Sequence, residues 1–521
     1  MSSKEFVGVC NDEFYSLINN NKNKVRLMAQ YILSIDQGTS STKTIIFDEK
    51  GKLISEGSAA LKTSYFKNGF VEQDPFEILD NVKQSIKNCI VDFNIKGLRI
   101  DEIKCIGISN QRETFVVWDK NGKPLNNAVV WQCKRSVDIC NRLKLQGLNE
   151  LINRKTGLLI DPYFSATKLM WLNENVPSVK EALKNEELYF GTIDTWLIYN
   201  LTNKKVYATD YTNASRTLFF NLNTLSWDNE LLDIYGLSGL KLPEIKFSTA
   251  DYGSTSCFGI FHKEVAITGA IGDSHAAAFG EGCYKKGYAK ATLGTGCSIM
   301  MNIGETPQYS KNGMVTTICW SANGKIDYAY EGVIVSCGAT IEWVKNNLQL
   351  FKESSETESL ATEIDSADAV YVIPAFSGMG APYWKMDALA SIVGLNFGTT
   401  KAHIVRAALE TIPFQINDIF NAIKTDSGIQ LEKLMVDGGI THNSFVVKSI
   451  ADLLTQPVVR IGVTNVSALG AAYIAGLQAG VYKDFKQLEN LQTNNKTINP
   501  TNNFDIVKRY RGWQNVVDKY L

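Results

Sequence analysis

The chain has no Cys-x-x-Cys pair and no cysteine after Cys337. Its ten cysteines are scattered singly from Cys10 onward, which excludes a zinc ribbon or a disulfide framework and predicts reduced core thiols in a cytoplasmic protein. Surplus charge is missing too. Lys and Arg number 53 against 54 Asp and Glu, so nothing neutralises a nucleic acid backbone, and no acidic tail occurs. Apolar runs stay short of the roughly 18 residues that a membrane helix needs. The first thirty residues carry Lys4, Glu5, Asp12, Glu13 and the run Asn19-Asn20-Asn21-Lys22-Asn23-Lys24, so no signal-peptide core forms there. Also absent are a Walker A loop and the protein-kinase signature set. These absences predict a soluble protein with small-molecule partners, no nucleic acid and no membrane, and any nucleotide site must be of another kind.

What is present is length and alternation. A chain of 521 residues exceeds one compact core, and strands alternating with helices predict an α/β protein. We expect a polar extension over 1–29, dispensable for chemistry, then two large domains over 30–281 and 282–521. Strands are expected at 103–109, 128–131, 265–267, 291–293 and 434–436, and helices over 136–145, 402–423 and around Ile78, Leu79, Val82 and Ile86, after Asp74-Pro75.

The stretch Leu33 to Asp48 places Asp36-Gln37-Gly38-Thr39-Ser40-Ser41-Thr42-Lys43 between two apolar, β-branched runs. This reads as a buried hairpin whose turn offers Gly38 for close backbone approach and crowded hydroxyls and N–H groups for an oxyanion. Asp36 could hold hydrated Mg²⁺, and Lys43 could offset phosphate charge. Taken alone, it is equally an ordinary polar turn. A second hairpin, Tyr288 to Met301, again sets Gly294-Thr295-Gly296 between β-rich runs, and Asp437-Gly438-Gly439 follows a third strand just before a helix. There the backbone could lie against a flat ring while the helix start faces an anion.

These three segments, in this order, resemble the nucleotide-binding segments shared by actin, hexokinase and the heat-shock chaperones. The stretches 163–171 and 390–410 are similar to the two signatures of the carbohydrate kinases that phosphorylate sugars and polyols. Asn110-Gln111-Arg112-Glu113-Thr114, Trp131-Gln132-Cys133, Asp161-Pro162-Tyr163-Phe164-Ser165, Asp210 to Arg216 and Pro374 to Gly378 fit the glycerol-phosphorylating branch. The resemblance implies two actin-like (ribonuclease H-like) domains enclosing a catalytic cleft, and transfer of the γ-phosphoryl group of ATP to a terminal hydroxyl of glycerol. It implies Asp273 as general base and glycerol ligand, with Arg112, Glu113, Trp131, Tyr163 and Ser274 around the acceptor. It assigns Gly38, Thr39, Ser40, Lys43 and Thr295 to the phosphates, Gly338, Gly439 and Asn443 to the adenosine, and Asp36 to Mg²⁺ through water. A homo-oligomer, dimer or tetramer, is implied as well.

Several residues depart from the bacterial pattern of that branch. Asp273-Ser274-His275 replaces Asp-Gln-Gln, Ser298 replaces an aromatic residue, Lys43 an arginine and Glu342 a glutamine. The loop 253–264 lacks the Gly-rich Arg motif that binds the inhibitor fructose 1,6-bisphosphate. A hydrolase triad at Asp273-Ser274-His275 is excluded, because three consecutive residues cannot converge on one reacting atom. Two rival readings remain. One is a kinase of another polyol or a pentulose, differing only in the acceptor pocket. The other is an actin-like or chaperone-like ATPase, which would lack the elements 111–114 and 161–165. Asp273 itself has a second reading, as the N-cap of the helix begun by Ala276-Ala277-Ala278-Phe279.

Overall fold

The computed structural model describes residues 30–491, 495–501 and 503–520; the extension expected over 1–29 lies outside the described residues. The first half is built on β1 (Tyr31–Gln37), β2 (Ser41–Phe47), β3 (Leu53–Ala60), β4 (Ile103–Asn110), β5 (Ser254–Thr255) and β6 (Val265–Gly272). Their order in the sheet is β5-β6-β4-β1-β2-β3. Strands β1 and β2 form the expected antiparallel hairpin, with Asp36 opposite Lys43, while β1, β4 and β6 run parallel. All three parallel strands therefore end together, at Gln37, Asn110 and Gly272, at the sheet edge where ligands of open α/β sheets bind.

Helix α1 (Pro75–Ile95) covers one face of this sheet. Asp74 accepts from the Phe76 N–H at 2.8 Å and Pro75 occupies the first helical position, so the Asp-Pro pair starts the helix as N-cap and N1. Ile78, Val82, Ile86, Ile90 and Phe93 are buried against Leu33, Ile35, Ile106 and Ile108, each contributing about 1.5–3 kcal/mol on leaving water. A smaller five-stranded sheet carries Ala128–Val129, a strand shorter than expected because the chain turns at Val130 to present Trp131. Behind it packs α2 (Ser165–Asn175), and α3 (Asp273–Gly280) follows β6 directly.

The second half repeats the scheme with β7 (Tyr288–Leu293), β8 (Cys297–Gly304), β9 (Val315–Ala322), β10 (Lys325–Ile334), β11 (Lys433–Asp437), β12 (Val458–Arg460) and β13 (Lys496–Ile498). Their order is β9-β10-β8-β7-β11-β12-β13. Hairpin β7–β8 is antiparallel and β7 runs parallel to β11, matching the first half strand for strand at the ligand edge. Helices α4 (Gly338–Asn346), α5 (Lys401–Ser427) and α6 (Ser444–Leu454) belong to this half. Helix α7 (Val466–Gln478) follows in sequence but lies on β1, β4 and β6 of the first sheet and against α3. The seam between α7 and α3 is built from small residues. A Cβ on Gly470 would stand 1.8 Å from the Ala276 carbonyl oxygen, so only glycine permits this approach. The nine described cysteines are all buried and free, and no described helix is long and apolar enough to cross a membrane.

Candidate active site

Two cavities meet at Gly294, in the turn of the second hairpin. The larger, 810 Å³, is lined by Thr295, Gly338, Glu342, Gly439 and Asn443, so four of the residues assigned to nucleotide share one space with the non-matching Glu342. Asn443 caps α6 by accepting from Val446 N–H at 3.2 Å, and its amide donates to Thr357 Oγ1 at 3.1 Å. The smaller, 410 Å³, is lined by residues of both halves, among them Arg112, Glu113, Trp131, Tyr163, Asp273 and Ser274. The six expected acceptor residues are thus brought together.

A chain of alternating charges forms the wall of the smaller cavity. Arg112 Nε lies 3.3 Å from Asp273 Oδ1 and its Nη2 2.7 Å from Glu331 Oε1; Glu331 Oε2 lies 2.6 Å from Arg216 Nη1, whose Nε donates to Glu113 Oε1 at 2.5 Å. Glu331 comes from β10 of the second half and the other four from the first, so a buried ionic link joins the halves. Burial pushes the Glu331 carboxyl up, but the guanidinium groups of Arg112 and Arg216 outweigh it and hold the group well below the usual carboxylate range. Arg112 Nη1 has no hydrogen-bond partner among the described residues, leaving a donor for a ligand hydroxyl. Glu113 adopts a left-handed backbone, φ 60°, a strained state of the kind that collects at functional sites. A Cβ on Gly272 would stand 2.9 Å from Arg112 Cγ, so glycine there lets the arginine lie flat against the strand end.

Trp131 and Tyr163 meet edge to face, centroids 5.5 Å apart, and form the apolar side of the cavity. Trp131 Nε1 donates to Thr39 Oγ1 at 2.9 Å, and Thr39 Oγ1 lies 3.3 Å from Gln111 Oε1, which ties the first turn to the wall of the smaller cavity. Lys168, fully buried in α2, donates to the Tyr163 carbonyl at 2.7 Å. Its desolvation lowers the ammonium pKa to about 8.

Asp273 is the first residue of α3; Gly272 is the N-cap, so Asp273 does not hold the cap position that was its second reading. Its Oδ1 accepts from the Ser274 N–H at 2.6 Å. The side chain is 38% accessible at the bottom of the cleft; desolvation by the cleft walls raises its pKa, while Arg112 pulls it back. His275 is fully buried, with neither ring nitrogen hydrogen-bonded among the described residues, and burial keeps it neutral. Asp36 and Asp273 end neighbouring parts of the same sheet edge, and burial, then the Asp273 charge, pushes Asp36 up to about 6. Among the described residues no three His, Cys, Asp or Glu side chains form a metal-binding group.

The turn Gly38-Thr39-Ser40 is closed by Gly38 N–H to the Ser41 carbonyl at 3.0 Å, and Thr39 reaches the smaller cavity. Lys43 faces elsewhere: its ammonium donates to Asn465 Oδ1 at 2.7 Å, just before α7. Lys290 is the lysine that lines the smaller cavity, donating to Thr292 Oγ1 at 3.1 Å and Ser298 Oγ at 3.3 Å. Sequence reasoning missed Lys290, Glu331 and Arg216. Arg216 and Lys290 stood inside stretches already singled out, but Glu331 lies in an ordinary strand pattern, and only its pairing with Arg112 and Arg216 across the cleft reveals it.

Paired hairpins whose turns border two adjoining cavities of one cleft are the architecture of a two-domain phosphotransferase. Residues 31–280 match the N-terminal domain of the FGGY family of carbohydrate kinases and residues 289–479 its C-terminal domain. The chain belongs to this family. It is 44% identical to a glycerol kinase of Alkaliphilus oremlandii over 95% of this chain and 98% of that one. It is likewise 44% identical to glycerol kinase 2 of Thermotoga maritima, over 94% and 99%. A crystal structure of Plasmodium falciparum glycerol kinase with ADP superposes with a TM-score of 0.89 at 36% identity, covering 95% of this chain and 98% of that one. Xylulose kinase of Lactobacillus acidophilus shares the fold, TM-score 0.82 at 23% identity.

Proposed function

We infer that the protein transfers the γ-phosphoryl group of ATP to a terminal hydroxyl of glycerol, releasing ADP and sn-glycerol 3-phosphate. The observation that carries this reading is the near-full-length identity of 44% to glycerol kinases, joined to a 410 Å³ cavity whose wall presents polar groups on one side and two rings on the other. Arg112 Nη1 donates to an acceptor hydroxyl, Glu113 and Asp273 accept, and Trp131 and Tyr163 pack on the carbon chain and exclude water. Ser274 borders the same space.

Phosphoryl transfer asks for positioning, charge neutralisation and a base. Asp273 takes the proton from the attacking hydroxyl as the new phosphorus–oxygen bond forms, and desolvation has made it a stronger base than a free carboxylate. The turns at Gly38–Ser40 and at Thr295 give N–H and hydroxyl groups to the phosphates, while Gly338, Gly439 and Asn443 border the adenosine. Lys43 acts on the phosphates only through field, its ammonium being engaged by Asn465. Mg²⁺ fits beside Asp36, because the neighbouring Asp273 charge raises the Asp36 carboxyl and a divalent cation would relieve that repulsion. When bound with ATP it supplies charge neutralisation for the transferred group. The cytoplasm is the expected compartment and a dimer or tetramer the expected assembly.

A coupled assay of ADP release with glycerol, xylulose and ribulose tests the reading. Glycerol is expected to give the highest kcat/KM; preference for a pentulose would move the chain to the rival branch. ATP hydrolysis unaffected by any of the three acceptors would favour a non-metabolic ATPase.

A further inference from the structure

Beneath the cleft a buried carboxyl is left without a partner by everything described so far. Glu281, the C-cap of α3, is 0% exposed, and neither of its carboxyl oxygens has a hydrogen-bond donor among the described residues. The group facing it is the carboxyl of Asp437, whose Oδ1 also lacks a donor. Lys290 faces the pair, and its ammonium donates to Thr292 and Ser298. Two ionised carboxylates cannot share such a dry space; a single proton between them satisfies orphan oxygens on both sides at once. Glu281 is sealed, whereas Asp437 ends β11 at the cavity wall, level with Thr292 on β7. The proton therefore belongs on Glu281, where no water competes for it, and the negative charge on Asp437.

We propose that Glu281 is a neutral acid that donates to Asp437 and acts as a positioning residue for phosphoryl transfer, fixing Asp437 beside Lys290 and Thr292 at the floor of the cleft. It touches neither substrate. Its hydrogen bond fixes the residue that immediately precedes Gly438-Gly439, and so the direction in which that segment leaves the sheet toward the nucleotide cavity. The titratable groups that face Glu281 are Asp437 on β11, Lys290 on β7 and Cys283 in the turn after α3. Burial, and then Asp437, holds the proton on Glu281 well above the ordinary carboxylate range. Removing it at alkaline pH sets two negative charges against each other and releases Asp437.

The proposal rests on reading the cleft as a phosphoryl-transfer site, and two kinds of measurement keep the two apart. Infrared difference spectra of wild type against Glu281→Gln, with no substrate present, read the proton directly. We expect a protonated-carboxyl carbonyl band in wild type that the variant lacks; identical spectra in that region would overturn the proposal, whatever the enzyme phosphorylates. Kinetics read the role. Glu281→Gln keeps a neutral donor and should hold kcat within about threefold while losing the alkaline fall of the wild-type pH profile; Glu281→Leu leaves Asp437 unsatisfied and should lower kcat by about ten- to a hundredfold, with the KM for glycerol little changed. A folded Leu variant with wild-type kcat, or a Gln variant with the wild-type alkaline limb, would contradict it. Should the Leu variant fail to fold, the band and the Gln profile decide.

Discussion

Replacing Glu331 by Gln breaks the ionic chain at its centre. The carboxylate is 1% exposed and holds Arg112 at 2.7 Å and Arg216 at 2.6 Å, one oxygen to each. An amide offers a single acceptor oxygen, and its NH₂ must then face the other guanidinium, donor against donor. Arg112 keeps Asp273 and Arg216 keeps Glu113, so no charge is stranded; one buried charge-assisted contact is lost, about 1–3 kcal/mol, and we expect it in the unfolding free energy by urea titration at neutral pH. The same change frees Arg112 from one of its two carboxylate partners, so the KM for glycerol should rise while that for ATP stays near wild type. The pH dependence has a definite sign. The native carboxyl sits well below its unfolded value of about 4.3, so its contribution is complete above that pH and disappears as pH falls through the native value. The gap between wild type and variant should therefore be largest near neutrality and shrink in acid. Equal stability of the two proteins at pH 7, with an unchanged KM for glycerol, would refute the assignment of this link as a support of the acceptor wall.

Lys168→Met should raise the KM for glycerol, because the carbonyl of Tyr163 loses its donor. The comparison with wild type also has a pH signature: with a native pKa of about 8 against about 10.4 unfolded, the unfolded chain binds more protons in that window, so wild-type stability should rise from pH 8 to pH 10.4 and the Met variant should lack that rise. Fructose 1,6-bisphosphate should inhibit little or not at all. In the loop 253–264 the side chains of His262 and Lys263 already face Asp101, at 2.9 and 3.4 Å, and strong inhibition at millimolar concentration would place the effector at another site. Small-angle scattering should show contraction when ATP analogue and glycerol are both bound, since the cavity walls come from both halves; an unchanged envelope with binding verified would count against closure.

Much of the fold was legible because it depends on local rules, whereas the residues gathered at the smaller cavity were named from the family resemblance. Two β-branched runs around a Gly-Thr turn make a hairpin wherever they occur, and Asp74-Pro75 started a helix as its chemistry requires. What escaped is long-range. Helix α7 reads as one more apolar helix of the second half, and nothing in its own pattern says that Gly470 will press on the Ala276 carbonyl 194 residues earlier, at the first sheet. Glu331 alternates in a strand like any surface acid, and its value lies in two arginines at positions 112 and 216. Lys43 shows the converse. Its place beside the first hairpin turn was clear, but the direction of its ammonium depended on Asn465, far along the chain.

The most direct test of the account is single-turnover phosphoryl transfer from ATP to glycerol by Asp273→Asn. Asn keeps an oxygen to accept from the Ser274 N–H, and Arg112 stays anchored on Glu331, so folding and ATP binding should persist. General-base catalysis contributes about a hundred- to ten-thousandfold, and transfer should slow by at least the lower figure. A folded, ATP-binding Asn variant that transfers phosphate at the wild-type rate would contradict Asp273 as the base.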